Sequence, residues 1–66
     1  MTIGERIRAR RKELRMTQTD LARASIYADR SMLSRIEHDQ IDPPLSRVEA
    51  IAKALKISPS VICGWE

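Results

Sequence analysis

The sequence has one cysteine, two glycines, two aromatic side chains and no phenylalanine. A lone Cys63 cannot close an internal disulfide, and no group of Cys and His has the spacing of a zinc site, so the chain suits a reducing, cytoplasmic compartment. There is no glycine-rich loop to cradle a phosphate. No apolar run approaches the roughly 20 residues needed to cross a bilayer, and charges occupy the N-terminal stretch where a signal peptide has its apolar region. Neither a membrane span nor secretion is expected. Catalytic groupings are missing too: no carboxylates are paired, no Cys or Ser has a base at useful spacing, and His38 stands alone in a loop. An enzyme is therefore not expected, nor is a metal, cofactor or small-molecule site.

What the chain does have is charge and helical periodicity. Its 66 residues make one small domain, 1–66, of a size at which folding hides only about 60% of the unfolded surface. The net charge of +3 is modest, but its distribution is not even. Six basic and two acidic groups put residues 1–15 at +4; six basic and seven acidic groups put the remainder at −1. The basic footprint lies on the first helical segment.

Five segments carry start signals. Thr2 and Glu5 have capping-box spacing ahead of a helix beginning at Ile3, with Ile3, Ile7 and Leu14 on its inner face. Thr17 caps a second helix opening at Gln18, with Asp20 as the poorer box partner and Leu21 and Ala22 turned inward. Asp29 is placed to cap a third, Arg30 to Glu37. HDQIDPP, with two prolines and no periodicity, is a connection. Ser46 and Glu49 repeat the box before Val48, Ile51, Ala52 and Leu55, and Ser58 with Pro59 opens a last turn through Val61 and Ile62 to Gly64. The expected fold is an all-α five-helix bundle.

On a helical wheel the third segment divides sharply. Met32, Leu33 and Ile36 face the core side; Arg30, Ser31, Ser34 and Arg35 share the outward arc. Two guanidiniums and two hydroxyls without a carboxylate are the chemistry that reads base edges and phosphate oxygens in a DNA groove.

With TQTDLA ahead of RSMLSRIE, the chain resembles the helix-turn-helix family of lambdoid phage repressors and Cro proteins and their bacterial relatives of the xenobiotic-response-element type. The likeness runs from IGERIRARRK to IAKALKISP. It implies a lambda repressor-like DNA-binding domain and, position by position, a set of roles. Arg30, Ser31 and Arg35 take the places that contact bases most often, with Ser34 near the groove; a phosphate role for either arginine stays open. Thr17, Gln18 and Arg11 take phosphate-side places, and Arg11 pairs with Glu37; Arg10 stands where many relatives have leucine, so its stem is expected along the core surface with its charged head reaching water or a phosphate. Pro59, Val61, Ile62 and Trp65 match the contact between two such domains, with core closure an equal alternative for Val61 and Ile62. The turn departs from the family. Ser25, Ile26, Tyr27, Ala28 and Asp29 hold no glycine and one residue more than usual, so a longer second helix or a looser turn is expected, with Ala28 in the aliphatic place and Tyr27 packed.

The function implied is a sequence-specific transcription regulator that binds a roughly palindromic double-stranded DNA operator as a homodimer. The alternative is an antitoxin-like interaction module, for which Trp65 and Ile62 would matter more than Arg30.

Overall fold

Helix starts follow from local hydrogen bonding. In the computed structural model, which describes residues 1–25 and 29–64, five helices form: α1 (Ile3–Glu13), α2 (Gln18–Ala24), α3 (Arg30–Glu37), α4 (Leu45–Ala54) and α5 (Pro59–Cys63). Thr2 Oγ1 accepts the Glu5 N–H at 3.1 Å while Glu5 Oε1 accepts the Thr2 N–H at 3.0 Å. Thr17 and Asp20 make the same reciprocal pair at 3.0 and 2.9 Å, so the aspartate closes the box as fully as a glutamate does. Asp29 Oδ1 accepts the Met32 N–H at 2.7 Å and starts α3 at Arg30.

The start of α4 corrects the sequence reading. Pro44, not Ser46, is its N-cap, and Ser46 is exposed inside the first turn without a capping bond. Proline's fixed φ, here −65°, suits that position, and its carbonyl already accepts from Arg47 at 2.9 Å and Val48 at 3.1 Å. The box-like spacing of Ser46 and Glu49 is a coincidence of composition. Ser58 does cap α5 in position, with Pro59 first in the helix, but its hydroxyl meets Ser60 Oγ at 3.0 Å instead of a backbone amide.

Three helices end on a left-handed residue that is not glycine: Arg15 (φ 56°), Asp39 (φ 57°) and Lys56 (φ 59°). In each case the following amide bonds back across the last turn, from Met16 to Arg11 O, Gln40 to Arg35 O and Ile57 to Ala52 O. The left-handed conformation costs a side-chain residue about 1–2 kcal/mol, and glycine's extra unfolded freedom returns about half of that. Lys56→Gly is therefore expected to stabilise by about 0.5–1 kcal/mol, read as a thermal midpoint raised by roughly 3–6 °C. α2 ends at Ala24 with Ser25 as its cap, so the extra residue lies in the α2–α3 connection and does not lengthen the helix. Tyr27 and Ala28 lie outside the described residues.

All five helices feed one core. Ile7, Leu21, Leu33, Ile36, Val48, Ile51, Ala52, Leu55 and Ile62 are buried, and Ile3, Leu14, Met16, Ala22, Met32 and Cys63 pack at its margin. Ile62, wholly buried, packs into this core, in keeping with the core-closure alternative given for it from the sequence. α1 crosses the end of α3 at Gly4, which is buried. A Cβ there would overlap Ile36 O and stand 2.7 Å from Glu37 O.

The two capping boxes make stability pH-dependent. Hydrogen bonds from the Thr2 backbone and hydroxyl hold the Glu5 carboxyl below its ordinary value of 4.5, and those of Thr17 hold Asp20 below 3.8. Both folded-state values are depressed, so the stabilisation is present above the ordinary values and lost as pH falls through the lowered ones. A thermal midpoint that declines below about pH 4.5, less steeply in a Glu5→Gln, Asp20→Asn variant, is the expected result.

Candidate nucleic-acid interface

The outward arc of α3 opens into a cleft. Arg30, Ser31, Ser34 and Arg35 line it together with Gln18 from the start of α2 and Gln40 from the turn after α3. Arg30, Ser31, Arg35 and Gln40 are exposed; Gln18 and Ser34 are half-buried. Among the described residues no carboxylate lines this cleft. The nearby acids are occupied elsewhere, Asp29 at the Met32 amide and Glu37 in the interior. All four base-side residues expected from the sequence thus come together. Gln40 was missed because it lies past the helix end, where wheel arithmetic stops; the left-handed Asp39 swings it back beside Arg35.

Beneath the cleft lies an ion pair. Arg11 Nε donates to Glu37 Oε2 at 2.8 Å, Arg11 Nη2 to Glu37 Oε1 at 3.1 Å, and Arg11 Nη1 to Met16 O at 2.8 Å. The two side chains are 11% and 0% exposed. Gln18 Nε2 adds a bond to Glu37 Oε1 at 3.3 Å, so one carboxylate ties α1, α2 and α3 together. Thr17, by contrast, is exposed at the head of α2.

The basic face of α1 divides. Arg10, its head expected to reach water or a phosphate, is held by the protein instead: its Nε donates to Leu55 O at 3.1 Å and its Nη1 to Glu13 Oε2 at 3.1 Å. The C-terminal carbonyl of α4 sits at the negative end of that helix and attracts the guanidinium, whose stem covers core surface where an aliphatic residue could stand. Arg10 shares a separate groove with Met1, Arg6, Ala9, Ile57 and Val61. Arg8, Lys12 and Arg15 are left exposed.

Asp39 does not present its charge to the cleft. Its Oδ2 accepts from Thr2 Oγ1 at 2.6 Å and its Oδ1 from the Gly4 N–H at 3.1 Å, placing an anion at the positive end of α1. His38 caps α3 and stays exposed, its Nδ1 2.7 Å from Ser34 O. On α5, Val61 is 42% exposed and Pro59 half-buried; Trp65 lies outside the described residues. Among the described residues no His, Cys, Asp and Glu come together to hold a metal ion, and no helix is long and apolar enough to cross a membrane.

Two capped helices close together in the chain, the second with an exposed polar face, have the arrangement of a helix-turn-helix domain, and this chain belongs to the helix-turn-helix family, whose model matches residues 7–62. Among individual relatives it is 48% identical over all 66 residues to the immunity repressor protein of Bacillus phage phi105, and 40% identical over 62 residues, or 94% of the chain, to the transcriptional regulator DicA of Escherichia coli K12. The chain spans 45% of the length of each. The fold matches the P22 c2 repressor protein, crystallised in complex with a synthetic operator, at a TM-score of 0.90 and 32% identity, covering 100% of this chain and 98% of that one.

Proposed function

We propose that this chain is the DNA-reading domain of a cytoplasmic transcriptional repressor that binds a roughly palindromic double-stranded operator as a homodimer, with α3 in the major groove. One observation carries the reading: six polar side chains from α2, α3 and the following turn line one cleft with no carboxylate among them. The operator complex of the P22 c2 repressor protein, whose fold this chain shares, supports it. In this reading Arg30 and Arg35 each hold a guanine through O6 and N7, Ser31 and Ser34 sit between them against base edges, and Thr17 with the first-turn amides of α2 faces a phosphate. Arg11 acts from beneath by fixing the three helices. Arg10 takes no part, since its guanidinium is spent on Leu55 and Glu13. Exposed Val61 and half-buried Pro59, with Trp65, form the contact between two domains, which sets two copies of α3 about 34 Å apart, one turn of DNA.

The test is selection of bound sequences from a random duplex library, followed by titration at several salt concentrations against an unrelated duplex. Enrichment of a site with two inverted halves about one helical turn apart is the expected outcome. Salt-sensitive binding without enrichment would sink the sequence-specific reading and direct attention to a protein partner at α5.

A further inference from the structure

Among the described residues, Gln18 is the one cleft residue whose side chain is hydrogen-bonded into the fold. Its Nε2 meets Glu37 Oε1, and Arg11 grips both oxygens of that carboxylate. The clamp decides which end of the amide faces inward. A carboxylate only accepts, so the amide turns its nitrogen to Glu37 and its carbonyl away. Glu37 is buried while Gln18 is half-buried at the cleft wall, and the edge left for a ligand consists of Oε1 and the second Nε2 hydrogen. An acceptor beside a donor complements adenine, which offers N6–H and N7 in the major groove. A phosphate, which only accepts, matches half of that edge and is repelled by the other half.

We propose that Glu37 is a positioning residue that sets Gln18 to read an adenine in the operator half-site, a role that rests on α3 being the groove-facing helix. The free protein then already holds the Gln18 amide in its reading orientation, and ordering that side chain costs little when DNA binds. Gln18 thereby becomes a specificity residue, where the family resemblance assigns a phosphate contact.

Two measurements test this. Each adenine of the selected half-site is replaced in turn by 7-deazaadenine, which lacks N7, and the intact protein and Gln18→Ala are titrated against every duplex. At one adenine the analogue is expected to weaken the intact protein about tenfold and to leave Gln18→Ala unaffected. In the free protein, NMR relaxation of the Gln18 side-chain amide is expected to match the rigid backbone, in contrast to Gln40, whose side chain has no hydrogen bond among the described residues. A Gln18 amide as mobile as that of Gln40 overturns the positioning by Glu37. A loss in Gln18→Ala that is uniform across adenines and equal on an unrelated duplex overturns base reading in favour of a phosphate contact. A library that yields no enriched site removes the repressor reading and this inference together; an enriched site with no Gln18-dependent adenine removes the inference alone.

Discussion

Arg11→Met is expected to cost about 3–5 kcal/mol of folding free energy, read by urea denaturation. The substitution keeps the apolar stem and removes the guanidinium, leaving Glu37 with a fully buried side chain and, among the described residues, only the Gln18 amide as partner. A buried carboxylate without its cation is far costlier than the pair is valuable. Small domains have roughly 5–15 kcal/mol in total, so this variant populates the unfolded state measurably without denaturant. The Arg11→Met, Glu37→Leu double variant should be more stable than Arg11→Met alone, because two packed apolar groups carry no desolvation penalty. Equal stability of Arg11→Met and the unaltered protein would show that water or a neighbouring group satisfies Glu37.

Gly4→Ala should cost about 1–3 kcal/mol, the range for forcing a methyl into a filled site, and more if the ion pair is strained with it. The added Cβ would strike Ile36 O and lie 2.7 Å from Glu37 O, both backbone atoms of the α3 end that cannot swing aside as a side chain can. It would also lie 2.8 Å from Asp39 Oδ1, which accepts the Gly4 amide. Relief requires α1 to withdraw from α3, and withdrawal stretches the bonds of Arg11 to Glu37 as well as that of Gly4 to Asp39. Denaturation midpoints of Gly4→Ala and Gly4→Ser that fall below the unaltered protein by similar amounts would support a steric origin. A midpoint left unchanged would mean the two helices can part at no cost.

The features legible in the sequence are those whose physics is local. Thr2 with Glu5, Thr17 with Asp20, and Asp29 at α3 are contacts across three residues, and their spacing alone points to them. Core positions such as Val48, Ile51, Ala52 and Leu55 show through helical period. Ser46 misled because cap spacing recurs by chance, and the neighbouring proline decides where α4 begins. Gly4 and Asp39 were invisible for a different reason. Their partners lie 35 residues or so away, and neither residue type announces a tertiary contact. Arg10 and Arg11 are adjacent in sequence but about 100° apart on the helix, enough to send one to the α4 carboxyl end and the other beneath the cleft. The resemblance supplied the partner of Arg11; the sequence alone had no means to choose between them.

The separation of the cleft from its support has an evolutionary reading. Arg30, Ser31, Arg35 and Gln40 are exposed and form no ion pair among the described residues, while the clamp of Arg11 and Glu37 lies behind them. Those four positions can be exchanged at little thermodynamic risk, and lineages descended from one ancestor can drift to mutually unrecognised targets by surface substitution alone. Gln18 is hydrogen-bonded to that clamp and lacks that liberty, so if these residues read the operator as proposed, the half-sites of such lineages should diverge opposite the four free positions and stay alike opposite Gln18.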